Sequence, residues 1–134
     1  MTQAEFDRAL AAKKAEEEAV ASAFASAPDD EIEALLREFI ACKYFLEPED
    51  MQTDDLIALG NSSTEKLTGY KKSGLQFEEK SAGCTTASSG VIRKVLLAIT
   101  VGKLIGARLD PDAVAMTETI PQLAELIIQT RKNR

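Results

Sequence analysis

The segment from Val91 to Ile105 constrains the fold more than any other part of the chain, because it is apolar nearly all round. Hydrophobic side chains fill most positions of this segment, so a helix formed here has no wide polar face. Such a helix is predicted to lie at the centre of a bundle, covered by other helices. Gly106 follows directly, and a glycine at this position ends a helix because it adopts the left-handed conformation at no steric cost.

The residues after Gly106 contain the start signals of two more helices. Asp110 precedes Pro111, which places a capping carboxylate before a proline at the first helical position. Thr119 and Gln122 have the spacing of a capping box, in which each side chain bonds to the backbone N–H of the other residue. We therefore predict a short helix after Asp110 and a final helix after Thr119.

The N-terminal residues 4–26 are predicted to form a helix rich in Ala, Glu and Lys, with a loose apolar period. Its large apolar side chains are Phe6, Leu10, Val20 and Phe24. Three arrangements stay open: the helix packs on the rest of the chain, self-associates with a second copy through 4–26, or frays. We treat residues 1–28 as an N-terminal helical extension.

Residues 29–130 form the predicted main domain. It begins with an acidic run, which favours a helix start because negative side chains stabilise the positive end of the helix dipole. Apolar residues then recur at steps of three and four over 32–40. Residues 61–90 are rich in Ser, Thr, Gly and Lys, so we expect an inserted loop there, with at most a short helix near 63–67 and a strand-like stretch at 74–77.

Together these elements predict an all-α fold: a small four-helix bundle with an extra N-terminal helix and a long loop between its first and central helices. The composition agrees, since 45% of the residues are hydrophobic but only 5% are aromatic, which suits an aliphatic helical core. No apolar run approaches the roughly 18 residues of a membrane span, and the N-terminus lacks the order of a signal peptide. We expect a cytoplasmic protein with no membrane partner.

The residue types argue against a self-contained enzyme. The chain has no histidine, so Ser–His and Cys–His nucleophile pairs are excluded, and its two widely spaced cysteines, Cys42 and Cys84, do not form a metal motif. A weaker alternative is a thiol protein that uses Cys84. The net charge of −6 disfavours nucleic acid as a partner. Residues 1–63 carry 15 acidic and five basic side chains, whereas 64–108 carry three acidic and eight basic ones, so the middle of the chain suits an acidic partner or an anionic ligand.

Two blocks of the sequence, in this order, resemble the acyl carrier protein family. Ile105–Leu109 resembles that family's Phe-Gly-x-x-Ile, Leu109–Asp112 resembles its Ile-Pro-Asp, and Thr119–Ile127 resembles its closing helix. Residues 32–63 resemble its first helix and the approach to its Asp-Ser-Leu motif. The blocks cover about half of the chain.

The resemblance implies a non-enzymatic carrier. In that family, a serine at the N-terminus of the second helix receives a 4′-phosphopantetheine arm, whose thiol holds an acyl or aminoacyl group as a thioester. The implied partners are a phosphopantetheinyl transferase and acyl-transferring or acyl-modifying enzymes. The helix N-terminus suits the phosphodiester because its unpaired N–H groups and dipole favour an anion.

Two ways of aligning this chain with the family's motifs place the attachment serine at different positions. Counting back from Leu109 without a gap reaches Val91, whereas counting forward from the first helix reaches Ser63, so the chain contains an insertion. We prefer Ser89, then Ser88, with Ser63 third. The alternative is that Ser88 and Ser89 only cap the helix, which is worth about 1 kcal/mol.

Basic side chains on the central helix predict the charge of its partners. The family's second helix is typically acidic, but here the helix and its C-terminal end carry Arg93, Lys94, Lys103 and Arg108. We assign Arg93 and Lys94 to a partner-binding surface that fits acidic proteins of a dedicated pathway, the alternative being ordinary solvated charges. A further alternative is a carrier-like fold that has no arm and serves as a non-enzymatic protein-interaction subunit.

Overall fold

Six α-helices make up most of the part of the chain that our computed structural model describes, residues 1–77 and 89–133. They are α1 (Gln3–Ala21), α2 (Ile32–Lys43), α3 (Leu56–Lys72), α4 (Gly90–Ile105), α5 (Pro111–Met116) and α6 (Ile120–Lys132). Within these two ranges there is no β-strand, only an isolated bridge between Asp55 and Thr119. The predicted all-α fold is confirmed.

The main core lies between α2, α4 and α6. Each helix contributes side chains spaced three or four residues apart, the spacing that places them on one face. Those that are almost fully buried include Leu36, Phe39 and Ile40 of α2, Leu97, Val101 and Ile105 of α4, and Ile120, Leu123 and Ile127 of α6. This core is mostly aliphatic, and the rings of Phe24 and Phe39 meet edge to face within it, with their centres 5.4 Å apart.

The local start and stop signals of the C-terminal half form as predicted. Gly106 ends α4 in the left-handed conformation, with φ of 72°. The Asp110 side chain caps α5, which has Pro111 in its first turn. Thr119 and Gln122 form both halves of the capping box at the start of α6. These ends are set by side chains within a few residues, so they could be predicted without tertiary information.

The predicted inserted loop at 61–90 is wrong over its first part, where α3 runs without interruption to Lys72. Asp55 starts this helix, since its carboxylate accepts a hydrogen bond of 3.0 Å from the Ala58 N–H. The inward positions of α3 recur with the period of a helix, but two of the five are small: they are Leu56, Leu59, Gly60, Ser63 and Leu67. Small buried residues do not produce an apolar pattern with helical spacing, so the sequence does not indicate this helix. Residues 78–88 lie outside the described residues.

The strand-like stretch predicted at 74–77 does not form a strand. Leu75 is buried in a second, smaller core with Phe6, Phe45 and Leu67, and Phe77 packs against it. The backbone N–H of Gln76 donates a hydrogen bond to the side chain of Gln3. Apolar packing and a hydrogen bond to the Gln3 side chain therefore hold the segment after α3 against the start of α1.

The N-terminal helix packs on the rest of the chain, which was one of the three arrangements that the sequence left open. Its first turn places Phe6 in the smaller core, 5.1 Å from the Tyr70 ring and 5.5 Å from the Phe45 ring. Val20 and Phe24, near the other end, are buried in the main core. Self-association through 4–26 stays a prediction, and the apolar anchors it would need are engaged within the chain.

Two glycines allow α3 and α4 to cross at very short range. A Cβ atom added to Gly60 would lie 2.8 Å from the Cα of Gly90, and one added to Gly90 would lie 2.3 Å from the carbonyl oxygen of Ile57. Beside this crossing, Asn61 accepts a hydrogen bond of 2.9 Å from the Gly90 N–H. The crossing thus places the N-terminus of α4 against the first two turns of α3.

Gly90→Ala is expected to destabilise the fold, because the added methyl group meets backbone atoms that cannot move cheaply. We expect the free energy of unfolding to fall by about 1–3 kcal/mol. Gly69→Ala is the matched control, since this α3 glycine has nothing within 4 Å of an added Cβ. That change should raise stability by about 0.5–1 kcal/mol. Urea unfolding followed by circular dichroism measures both, and equal effects of the two substitutions would contradict the close crossing.

Candidate functional site

One face of α4 leaves large aliphatic side chains in solvent. We call these five residues the apolar row: Val91, Ile92, Val95, Leu96 and Ile99, each between 40% and 51% exposed. The prediction that this helix is covered on all sides is therefore wrong for this face. None of the helices within 1–77 and 89–133 has the length and apolar content that crossing a bilayer requires. A contiguous exposed apolar surface of this kind marks a binding surface in many proteins.

Part of the apolar row forms a wall of a cleft between α4 and α5. The cleft has a volume of about 640 Å³, and the connection that follows Gly106 also lines it. Val95 and Ile99 belong to both the row and the cleft, and Val114 of α5 lies on the opposite wall. We call this the α4–α5 cleft. Its volume falls within the range of small-molecule sites in proteins.

The described residues that line the cleft include two cations and no acidic residue. Lys103 lies in the last turn of α4, and Arg108 follows two residues after Gly106. Both side chains are exposed, and neither has an ion pair or a hydrogen bond in the described parts of the chain. The nearby Asp110 carboxylate is engaged at the start of α5, where it accepts from the Asp112 N–H at 3.3 Å.

Ser89, the preferred attachment residue, lies at the N-terminal end of the same surface. It is exposed and caps α4, its hydroxyl accepting a hydrogen bond of 3.2 Å from the Ile92 N–H. The capping role considered for it is therefore present. Val95, where the cleft begins, is six residues further on, which is roughly 9 Å along the helix axis. An exposed hydroxyl at the start of a long helix fits attachment of a phosphopantetheine arm. Ser88 lies outside the described residues.

Ser63 does not meet the requirement for an attachment residue. Its side chain is fully buried in the middle of α3. The hydroxyl donates to the Tyr44 carbonyl oxygen at 2.7 Å and accepts from the Arg93 guanidinium at 2.9 Å. A transferase cannot reach this oxygen while the helix is folded, so Ser63 is set aside as a site of modification and assigned to the packing between α3 and α4.

Arg93 and Lys94 are buried, so their assignment to a partner-binding surface is wrong. Arg93 is 0% exposed; its Nε donates to the Thr64 hydroxyl at 2.9 Å, and its guanidinium lies 5.9 Å from the Tyr44 ring centre. The Lys94 ammonium donates to the carbonyl oxygen of Thr117 at 2.9 Å, at the end of α5. Their helix positions face α3 and α5, and polar groups there satisfy the buried cations. The sequence pattern could not show which basic residues face inward.

The described cysteine, Cys42, has the properties of a core residue. Cys42 lies on the buried face of α2. Burial, reinforced by the negative charge of Glu16, raises the pKa of its thiol to about 12. The thiol is therefore protonated at neutral pH and is a poor nucleophile. Cys84 lies outside the described residues.

Comparisons with protein-family models, with curated proteins and with solved structures gave no match for this chain.

Leu96 and Leu97 are neighbours on α4 that test whether the apolar row is exposed. Leu97 is 1% exposed in the main core, whereas Leu96 is 40% exposed. Leu97→Ala should lower the free energy of unfolding by about 2–5 kcal/mol, because it leaves a cavity in a packed core. Leu96→Ala should lower it by less than about 1 kcal/mol. The measurement is urea unfolding of both variants, and a similar loss in both would mean that the row is covered.

Proposed function

We propose that this protein is a non-enzymatic binding subunit that holds an apolar chain in the α4–α5 cleft. The observation that carries the proposal is an aliphatic cleft of about 640 Å³ on a helix whose outer face also exposes large apolar side chains. Removing apolar surface from water is favourable by roughly 25 cal/mol per Å², so a ligand that covers this face gains affinity from contact alone.

The shape and lining of the cleft favour a flexible aliphatic chain. The cleft follows α4 from Val95 to Gly106, which corresponds to roughly 16 Å along the helix. No aromatic side chain is among the described residues that line it, so it offers no ring on which a flat ligand stacks. The lining includes small residues, Ala98 and Gly102, between the larger aliphatic ones, which leaves room for an extended chain.

The chemistry of the lining supports binding rather than catalysis. The described lining residues include no Ser, Thr, Cys, Asp, Glu or Tyr, so the cleft presents neither a hydroxyl or thiol nucleophile nor a carboxylate base. Lys103 and Arg108 are its charged groups. In the solvent-exposed positions that they occupy, they serve to attract an anion.

A second candidate is the carrier, favoured by the position of Ser89. In this version a 4′-phosphopantetheine arm is attached to the Ser89 hydroxyl, and the N-terminus of α4 stabilises its phosphodiester. The arm supplies the thiol that carries an acyl or aminoacyl group. The cleft, six residues further along α4, then shelters an apolar cargo, and the partners are the transferase and acyl-handling enzymes.

The apolar row beyond the cleft supports the arm-free protein-interaction role as well. Val91, Ile92 and Leu96 are exposed but do not line the cleft. A partner protein that receives the bound chain would cover these side chains as it docks. A cytoplasmic location stays a prediction.

Two isoleucines of α4 provide a matched test of chain binding. Ile99 and Ile92 are 51% and 50% exposed, but only Ile99 lines the cleft. Dodecyl maltoside, a neutral single-chain amphiphile, should bind the wild-type protein below its micelle concentration, as measured by calorimetry. Ile99→Gln should weaken this binding at least about tenfold, because it removes an apolar contact of roughly 1.5–3 kcal/mol.

Ile92→Gln is the control and should leave the affinity for dodecyl maltoside unchanged. Thermal unfolding of both variants checks that each keeps the wild-type fold. Absence of binding to the wild-type protein, or an equal loss of affinity in both variants, would remove the cleft as the binding site.

Intact mass spectrometry tests the carrier version separately. After co-expression with a broad-specificity phosphopantetheinyl transferase, the carrier should gain the mass of one phosphopantetheinyl group. Ser89→Ala should abolish the gain, whereas Ser63→Ala should retain it wherever that variant folds. If Ser88→Ala is the one variant that loses the mass gain, the arm is attached to Ser88. An unmodified wild-type protein with several transferases would eliminate the carrier and leave the arm-free function in place.

A further inference from the structure

We propose that the chain bound in the α4–α5 cleft belongs to a single-chain amphiphile whose anionic head is held by Lys103 and Arg108. The inference rests on the proposed function, because it names the class of molecule that the cleft takes. The head group is a carboxylate or a phosphate, bound without a covalent link. The apolar tail lies against the aliphatic walls of the cleft.

The helix geometry places a tail site and a head site on one line. Val95, Ile99 and Lys103 are separated by four residues each, so they share one face of α4. Each step of four residues advances roughly 6 Å along the axis. A molecule whose tail covers the two aliphatic side chains therefore has its head beside the Lys103 ammonium, at the C-terminal end of the cleft.

Arg108 adds a second cation to the same end of the cleft from a different element. It lies in the connection between α4 and α5, and its side chain lines the cleft with Lys103. A lysine in the last turn of a helix is favoured by the helix dipole alone, so Lys103 by itself needs no ligand. The dipole does not explain Arg108, which follows the left-handed cap at Gly106 and has no ion pair in the described residues.

Local contacts, and not the net charge of the chain, account for anion binding at Lys103 and Arg108. The net charge is −6, and residues 1–63 are strongly acidic. Arg93 and Lys94, the other two cations of α4, are buried and bonded to protein oxygens. The basic groups that remain in solvent on α4 and its C-terminal connection thus lie at the cleft. A protein of this net charge repels anions in general, so an anion that binds here is retained by local contacts.

Three amphiphiles with the same dodecyl tail test the head group. Calorimetry below the micelle concentrations should show that dodecanoate binds about tenfold more tightly than dodecyl maltoside, and that dodecyltrimethylammonium binds more weakly than either. Raising the salt concentration should narrow the difference between dodecanoate and dodecyl maltoside, because exposed charges are screened. Dodecyl phosphate in a further titration separates the two anionic heads, since tighter binding than dodecanoate assigns the site to a phosphate.

The double substitution Lys103→Gln with Arg108→Gln assigns the effect to these residues. It should reduce the affinity for dodecanoate to that for dodecyl maltoside and leave the latter unchanged, which also shows that the cleft is intact. Lys14→Gln with Lys72→Gln makes the same change in net charge at exposed positions outside the cleft and should preserve the preference for dodecanoate.

The outcomes separate this inference from the function on which it rests. Equal binding of the three dodecyl amphiphiles would overturn the anionic head while leaving chain binding intact. A preference for dodecanoate that survives the Lys103/Arg108 double substitution would also overturn the assignment. Binding of none of them to the wild-type protein would overturn both.

Discussion

The close crossing of α3 and α4 at Gly60 and Gly90 determines how α4 is oriented, and the orientation of α4 determines the rest of the surface. Because both helices lack a Cβ atom where they meet, their backbones approach closely enough for Asn61 to bond the first N–H of α4. This places one face of α4 against α3 and the main core. The opposite face carries the apolar row, and the bundle has no further helix among its described residues that covers it.

The same crossing determines which cations are available for binding. Turning α4 toward α3 brings the Arg93 side chain onto the Ser63 and Thr64 hydroxyls, where hydrogen bonds compensate for the loss of water around a buried charge. Lys94, the next residue, reaches the carbonyl groups at the end of α5 and holds that short helix beside α4. Lys94 thus holds α5, whose residues line one side of the cleft, whereas Lys103 and Arg108 line the cleft themselves.

Features set by neighbouring residues could be predicted from the sequence, and features set by packing could not. The left-handed end at Gly106 and the caps at Asp110 and Thr119 depend on local hydrogen bonds, and all three form. The sequence does not predict the helix α3, because the small residues Gly60 and Ser63 occupy inner positions where a large apolar side chain is the usual signal. A segment that is apolar nearly all round also does not reveal that its bundle covers only one side of it.

The direction in which a chain lies in the cleft distinguishes a tethered ligand from a free one. A chain attached through an arm at Ser89 enters the cleft from the N-terminal end of α4, so its apolar tip points toward Lys103 and Arg108. A free anionic amphiphile lies the other way, with its head on these cations and its tip toward Ser89. Placing an apolar tip against two charged groups displaces their water without compensation, whereas placing an anion there forms charge-assisted hydrogen bonds. The charges at the C-terminal end of the cleft therefore favour a free anionic ligand over an apolar cargo carried on Ser89, and a tethered cargo suits this cleft only if its far end is itself polar or anionic.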